Sequence, residues 1–381
     1  MSSLTKLDLS TNTIRFLQSE FAGGLSHLKV LYLYGNEIQE YDASDFASFN
    51  LLDMLHTDEY LFCCLARLNE ENCRPLPDKL SSCKDLMREG VLRAFLWIFG
   101  IMALLGNLFS IGYHMKMVEK KTVTSELTKY LACADCLFGV YMICIASVDQ
   151  HYRGVYIEYA KAWKHSAACA FLGTLATFSS EASVLVLFVI TCDRLLRITR
   201  PFSKKNLTLR SVHKVMLIVW SLVIAIAVVP LIPSDYFKGR FYSRSSVCMS
   251  IHITRESPPG WQYSVAVCHG LNLVAFLFIF LAYGYMYTRI KSSSKAAGNK
   301  GSHEMTIARK MTLIVLTDFC CWFPINTMGK CLLALGGMDI PGEMYSWTIV
   351  FILPINSAIN PILYTISNLS FKVLSSIPNE M

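Results

Sequence analysis

Seven apolar segments, each long enough to cross a lipid bilayer, are the feature that most constrains the fold of this chain. A hydrocarbon core of about 30 Å requires about 20 apolar residues in a helix. Because 53% of the residues are hydrophobic and only 17% are charged, we predict an all-α membrane protein with a seven-helix bundle. We place the segments at Val91–Met115, Leu127–Val148, Ala167–Ile190, Val215–Ile232, Tyr263–Met286, Met311–Leu335 and Tyr345–Ile366.

Lysine and arginine residues in the connecting loops predict the orientation, because basic loops stay on the cytoplasmic side of a membrane. With the N-terminus outside, the inner loops and tail carry seventeen of these residues and the outer loops carry seven. We therefore predict a multi-pass plasma-membrane protein with an extracellular N-terminus and a short cytoplasmic tail at 372–381. The net charge of +7 follows from this topology, so we predict no nucleic-acid partner.

A 24-residue repeat precedes the first membrane segment. The pattern Leu4-x-x-Leu7-x-Leu9-x-x-Asn12 returns as Leu28-x-x-Leu31-x-Leu33-x-x-Asn36. This is the leucine-rich-repeat pattern, in which leucines fill the core of a stacked α/β solenoid and the asparagine satisfies backbone groups at the turn. Two repeats cannot bury a stable core alone, so we expect further repeats and a signal peptide upstream.

We assign residues 1–50 to the repeats, 51–90 to a cysteine-bearing hinge and 91–371 to the seven-helix domain. Side chains of the short predicted strands would project from the concave side of the solenoid, where such proteins bind partners. Asp8, Tyr32 and Tyr34 are our ligand-facing candidates there. The alternative is an ordinary solvated strand surface.

Six of the fourteen cysteines fall on the predicted outer side, where disulfides persist. Cys169 and Cys248 are the natural remaining pair, which would tie the third segment to the second outer loop. The other four precede the first membrane segment, and three pairings stay open among these hinge cysteines, which are Cys63, Cys64, Cys73 and Cys83.

Three acidic residues lie inside apolar segments: Asp135, Glu181 and Asp318. A carboxylate inside a membrane costs several kcal/mol, so each should face the bundle interior and a polar partner. Carboxylate, hydroxyl and amide oxygens suit a sodium ion, and a hydrated hydrogen-bond network without an ion is the equal alternative. Counting along the helices predicts one polar pocket formed by Asp135, Ser183, Trp322, Asn356 and Asn360.

Pro324 and Pro361 interrupt the sixth and seventh segments, and each removes a backbone hydrogen bond and allows a kink. The inner ends of these helices would therefore be movable. Arg194 ends the third segment beside Asp193, positioned either to pair with it or to meet a cytoplasmic partner. No catalytic His-Glu-x-x-His, Gly-x-Ser-x-Gly or phosphate-binding loop is found, so we predict neither an enzyme nor a certain metal site.

These features resemble a rhodopsin-class (class A) G-protein-coupled receptor over residues 91–371. The whole chain resembles a leucine-rich-repeat receptor of the relaxin-receptor type, through the run 179–184, Asp318 four residues before Trp322, and Asp235-Tyr236-Phe237 in the second outer loop. The general match rests on Gly106-Asn107, Asp135, Trp163, Trp220, Asn360-Pro361-x-x-Tyr364 and Phe371.

The resemblance implies a relaxin- or insulin-like peptide ligand, a heterotrimeric G protein and a change in cyclic AMP. It implies that Arg194 contacts the G protein and that Tyr283 stabilises the open form. Asn360 and Tyr364 would rearrange at the inner end, and Asp318, Trp322 and Pro324 would respond to ligand. Asp235, Tyr236 and Phe237 join the ligand-facing candidates.

Three alternatives stay open from the sequence. A receptor for another protein hormone, of the glycoprotein-hormone type, would share the repeats and an aspartate like Asp318. A non-signalling, truncated or decoy receptor would keep the repeats and hinge but not the coupling of Arg194. A transporter or channel is disfavoured because no inverted repeat or matched pair of broken helices is visible.

Overall fold

The protein is described from a computed structural model that covers residues 3–17, 23–36, 38, 41, 46, 49–58, 60–75, 82–116, 122–200, 207–237, 239, 241–243, 245–250, 260–297, 350–351 and 353–363. The chain divides into two compact units. The first contains the described residues of Met1–Gly90 and Val148–Trp163. The second contains those of Val91–Ser147, Lys164–Ile340 and Trp347–Met381.

The first unit contains a parallel sheet of four short strands, which are β1 (Lys6–Asp8), β2 (Val30–Tyr32), β3 (Met54–His56) and β4 (Cys73–Arg74). Leu7 pairs with Leu31, and Leu31 pairs with Leu55, so each of these strands advances by one repeat. The side chains of Leu31 and Leu55 are fully buried. Because β3 lies beyond residue 50, the repeat stacking extends into the segment that the sequence predicted to be hinge.

Asn36 satisfies backbone groups at the turn after β2, as the repeat pattern predicts. Its Nδ2 donates to the carbonyl oxygens of Leu9 and Leu33, both at 2.8 Å. In the next repeat Asp58 accepts hydrogen bonds from the backbone N–H groups of Gly35 at 2.6 Å and Asn36 at 3.0 Å. Polar groups between the stacked turns are thereby paired, which is what burial of a backbone requires.

A short helix, α1 (Tyr60–Leu65), carries two adjacent cysteines that fasten the end of the sheet. Cys63 is bonded to Cys73 in β4, with a Cα–Cα distance of 5.9 Å. Cys64 is bonded to Cys83, with a Cα–Cα distance of 5.5 Å. Of the three pairings that the sequence left open, the structure contains this one. Cys63 and Cys73 lie in the same core as the repeat leucines, so the first bridge closes that core.

Five helices among the described residues are long and apolar enough to span a membrane, and they correspond to the first five predicted segments. The sixth, Met311–Leu335, lies outside the described residues, and the seventh is described over α9 (Leu353–Pro361). The other helices, in chain order, are α2 (Gly90–Lys116), α3 (Val123–His151), α4 (Tyr156–Lys164), α5 (Ala167–Thr199), α6 (Leu209–Val228), α7 (Trp261–Ser264) and α8 (Asn272–Ala297). A π-helical turn, Val265–Leu271, joins α7 to α8 in one span.

Side-chain caps explain where α5 and α6 begin. The Ser166 Oγ accepts a hydrogen bond from the backbone N–H of Cys169 at 3.1 Å. The Thr208 Oγ1 accepts one from the backbone N–H of Ser211 at 3.3 Å. Each cap satisfies a donor in the first turn that has no partner within the helix.

Glycines allow neighbouring membrane helices to approach closely in the second unit. A Cβ at Gly139 of α3 would lie 2.7 Å from the backbone nitrogen of Leu104 in α2. A Cβ at Gly106 of α2 would lie 3.1 Å from Cγ of Pro361 in α9. Small residues at such contacts let helix backbones pack tightly in a bilayer, where lipid is as apolar as leucine.

Candidate functional site

A buried carboxylate joins three membrane helices in the second unit. Asp135 of α3 is fully buried, and its Oδ1 accepts hydrogen bonds from the hydroxyls of Ser183 in α5 at 2.9 Å and Ser357 in α9 at 3.0 Å. Its Oδ2 accepts a hydrogen bond from Nδ2 of Asn360 at 2.7 Å. Both carboxylate oxygens are therefore satisfied, which offsets the cost of burying the charge.

Asn107 connects α2 to the same network. Its Nδ2 donates to the backbone carbonyl oxygens of Ala103 at 2.7 Å and Ser357 at 3.0 Å. The second bond reaches α9 at Ser357, the residue that follows Asn356. We name this set of four helices and five side chains the polar network, and its members are Asn107, Asp135, Ser183, Ser357 and Asn360.

The predicted pocket and the polar network overlap without being identical. The structure brings Asp135, Ser183 and Asn360 together, whereas Asn356 is buried and the hydrogen bond to Asp135 comes from its neighbour Ser357. Trp322 lies outside the described residues. A carboxylate and two hydroxyls within hydrogen-bond distance are the hard oxygen ligands that suit a sodium ion. A bridging water can form hydrogen bonds to the same groups. The residues present fit either occupant.

Near the end of α5, Asp193 pairs with an arginine four residues away and not with the adjacent arginine. Asp193 is 2% exposed, and its Oδ2 accepts a hydrogen bond from Nε of Arg197 at 2.8 Å. Arg194 instead donates from Nη2 to the hydroxyl of Thr124 in α3 at 3.0 Å. The sequence left two roles open for Arg194, pairing with Asp193 or meeting a cytoplasmic partner. Pairing with Asp193 is not among the described contacts.

A second buried carboxylate lies between α5 and α8. Glu181 is 1% exposed, and its Oε1 accepts a hydrogen bond from Nδ2 of Asn272 at 3.1 Å. That amide also donates to the carbonyl oxygen of Cys268 in the π-helical turn at 3.0 Å. Asn272 is the buried partner that the acid required, and the sequence reasoning missed it.

Four predicted residues, Asp318, Trp322, Pro324 and Tyr364, lie outside the described part of the chain. Tyr283 is 7% exposed and packs in an apolar cluster with residues of α3, α5 and α6, such as Leu127, Ile190 and Val212. Pro361 is the last residue of α9, and its Cγ lies 3.1 Å from where a Cβ on Gly106 would stand.

The loop between α6 and α7 is held by a disulfide and an aromatic cluster. Cys169 is bonded to Cys248, with a Cα–Cα distance of 5.4 Å. The Tyr242 hydroxyl donates to the carbonyl of Ala227 at 2.7 Å, and burial raises the pKa of this phenol above its usual value. These two restraints hold the middle of the loop, with Tyr242 bonded to α6 and Cys248 to α5.

The three ligand-facing candidates in that loop fall into two groups. Asp235 and Tyr236 are exposed. Phe237 is 6% exposed and packs edge-on against Phe241 and Tyr263, with both pairs of ring centroids 5.4 Å apart. Phe237 thus packs into the core of the loop while its two neighbours face outward, and a ligand-facing role for the three residues stays a prediction.

The ligand-facing candidates on the repeats surround one aromatic patch. Tyr34 is exposed, and the rings of Tyr32 and His56 are 5.4 Å apart, with the Lys6 ammonium 5.2 Å from the Tyr32 centroid. Asp8 is exposed, and hydrogen bonds from Ser10 hold the pKa of its carboxyl below the usual value. His56 lies in β3, so the patch of ligand-facing candidates continues onto the next strand.

Within the first unit, the hinge is hydrogen-bonded to the end of α3, the turn that follows it and the start of α4. The backbone N–H of Met87 donates to Oδ1 of Asp149 at 2.9 Å, and both residues are buried. The backbone N–H of Gly154 donates to Oδ1 of Asp85, also at 2.9 Å. A third bond runs from the N–H of Tyr156 to the carbonyl of Lys84 at 3.1 Å. We call these three bonds the hinge contact.

Comparison with known proteins now identifies the class. Residues 106–364 match the family model of the 7 transmembrane receptor (rhodopsin family), and residues 2–58 match the leucine rich repeat model. The chain therefore belongs to the rhodopsin family of seven-transmembrane receptors, carries leucine-rich repeats, and is a multi-pass membrane protein.

Among individual relatives, the chain is 44% identical to the G-protein coupled receptor GRL101 of Lymnaea stagnalis, over 83% of this chain and 28% of that protein. It is 37% identical to relaxin receptor 2 of Canis lupus familiaris, over 79% of this chain and 41% of the relative. It is 31% identical to the follicle-stimulating hormone receptor of Equus caballus, over 84% of this chain and 44% of the relative. The chain thus spans less than half the length of each of these relatives.

Proposed function

We propose that this chain supplies the last repeats, the hinge and the membrane domain of a plasma-membrane receptor whose N-terminus is extracellular. The ligand is a relaxin- or insulin-like peptide hormone. The bound receptor activates a heterotrimeric G protein and thereby changes adenylate cyclase activity and cyclic AMP. The similarity to relaxin receptor 2 supports the ligand class, and the family supports the G protein.

The observation that carries the proposal is the hinge contact. Three hydrogen bonds donated by backbone N–H groups join the segment after the repeats to the end of α3, the turn after it and the start of α4. The carboxylates of Asp85 and Asp149 accept two of them. A peptide that displaces the repeats shifts α3 through this contact, because Asp149 belongs to that helix. The same helix carries Asp135, which is hydrogen-bonded to Ser183 of α5.

The polar network supplies the second half of the transmission. The Asp135 carboxylate links α3, α5 and α9, and the bond from Asn107 to the carbonyl oxygen of Ser357 adds α2. A shift of any of these helices therefore alters hydrogen bonds on the others. A packed interior with few alternative arrangements favours two discrete states over gradual deformation. Arg194, near the end of α5, contacts the G protein in the active state.

The test is cyclic AMP in cells that express this chain, measured before and after addition of a panel of relaxin- and insulin-like peptides, with Arg194→Ala as the control. A peptide-dependent change that Arg194→Ala abolishes supports the proposal. A basal shift without a peptide response indicates a coupled bundle whose repeats do not bind these peptides. No change of either kind, with surface expression confirmed, refutes signalling and favours a decoy receptor.

A second candidate is a receptor for a glycoprotein hormone. It is favoured by the similarity to the follicle-stimulating hormone receptor, which is lower in identity than that to relaxin receptor 2. Adding glycoprotein hormones to the same panel separates the two, because each class predicts a response to its own ligands alone.

A further inference from the structure

Two arginines follow Asp193 in α5, and helix geometry gives them different neighbours. Residues four apart lie above one another on a helix face, whereas adjacent residues point about 100° apart. Arg197 is therefore the arginine that faces Asp193, and its Nε lies 2.8 Å from the Asp193 carboxylate. The carboxylate is 2% exposed and the Arg197 side chain 37%, so the pair lies at the edge of the bundle.

Arg197 is anchored a second time. Its Nη2 donates to the carbonyl oxygen of Leu207 at 3.4 Å, and Leu207 directly precedes the cap residue Thr208 of α6. The Arg197 guanidinium thus spans from the end of α5 to the start of α6. The two hydrogen bonds, to Asp193 and to Leu207, hold the guanidinium beside the Asp193 carboxylate.

Arg194 is held more weakly than Arg197. Its described hydrogen bond is to the neutral hydroxyl of Thr124, at 3.0 Å, and its Nε is buried with no acceptor among the described residues. A carboxylate adds Coulomb attraction between opposite charges, which the neutral hydroxyl of Thr124 cannot offer to the Arg194 guanidinium. Asp193 would therefore compete successfully for Arg194 if its present partner were removed.

We propose that Arg197 is a positioning residue for G-protein coupling, because it occupies Asp193 and so leaves Arg194 available to the cytoplasmic partner. Removal of Arg197 leaves a buried carboxylate without a cation. Asp193 then recruits Arg194, which breaks the bond to Thr124 and withdraws the coupling arginine. This inference rests on the proposed function of Arg194.

The signalling test uses basal guanine-nucleotide exchange on G protein in membranes that contain the full chain, at matched surface expression. We expect Arg197→Ala to lower basal exchange at least fivefold, Arg197→Lys to retain at least half, and the double variant Asp193→Asn with Arg197→Ala to return to within twofold of the parent. Arg200→Ala removes one positive charge from the exposed end of α5 and is the matched control, with unchanged exchange.

Parent-like exchange for Arg197→Ala, or a double variant as low as the single one, would overturn the proposal. The second result would mean that Arg197 acts on the G protein itself. If the parent shows no exchange above Arg194→Ala, the proposed function fails, and a thermal cycle still tests the pairing.

That cycle measures Tm of the purified chain with Asp193→Asn and Arg194→Ala, singly and together. In the parent we expect the two Tm changes to add. In the Arg197→Ala background we expect them to deviate from additivity by about 2 °C or more, since the two residues now pair. Additive changes in both backgrounds would refute recruitment of Arg194 by Asp193.

Discussion

Replacing Asp135 by asparagine isolates one hydrogen bond of the polar network. The Oδ1 of an asparagine still accepts from Ser183 and Ser357, but its Nδ2 would face Nδ2 of Asn360, 2.7 Å away, and two donors cannot bond. A buried donor without an acceptor costs about 1–3 kcal/mol. At about 2–4 °C per kcal/mol, a loss of about 2 kcal/mol lowers Tm by about 4–8 °C.

The assay is thermal unfolding of the purified chain with a thiol-reactive dye, because half-buried and buried cysteines such as Cys133, Cys192 and Cys268 react as the bundle opens. The control is Asp135→Asn combined with Asn360→Asp, which exchanges donor and acceptor and should recover at least half of the lost Tm. An unchanged Tm for Asp135→Asn, or a double variant no more stable than the single one, would show that this contact carries little free energy.

Three further outcomes follow from the described contacts. If sodium occupies the polar network, replacing choline chloride by sodium chloride raises Tm of the parent but not of Asp135→Asn, and equal Tm values in both salts favour the hydrated network. Asp149→Ala leaves the buried N–H of Met87 without this acceptor, so we expect a reduced peptide-stimulated cyclic AMP response at unchanged basal exchange; a parent-like response would contradict transmission through the hinge contact. Phe237→Ala should destabilise the chain by about 3 kcal/mol and exposed Asp235→Ala by less than about 0.5 kcal/mol, and similar Tm values for both would contradict the burial of Phe237.

The sequence predicted the parts of the fold that follow from periodicity. Five apolar segments are helices, because length and hydrophobicity suffice to define a span. The bounds were less well predicted, since α5 continues to Thr199 rather than Ile190 and α6 begins at Leu209 rather than Val215. Leucine spacing predicted the register of Leu7 on Leu31. It did not predict β3, since the next repeat has Thr57 in place of a leucine and Tyr60 in place of the asparagine. In that repeat Asp58 instead accepts hydrogen bonds from two backbone N–H groups of the preceding turn.

The polar network was predicted in composition but not in every residue. Counting along a helix locates Asp135 and Asn360 on inward faces, but one residue of error rotates a side chain by about 100°. An error of this size explains why Asn356 was predicted to contact Asp135, whereas its neighbour Ser357 forms the hydrogen bond. Arg197 was missed for a related reason: the adjacent pair Asp193 and Arg194 is conspicuous in sequence, whereas contacts on a helix form between residues three or four apart.

The close approach at Gly139 has a mechanical consequence. At this point a backbone nitrogen of α2 lies only 2.7 Å from where a Cβ would stand, so no side chain separates the two helices there. We therefore expect α2 and α3 to move together at this contact, and helix displacement on activation to occur at other helix–helix contacts. Even alanine at position 139 would force the two helices apart.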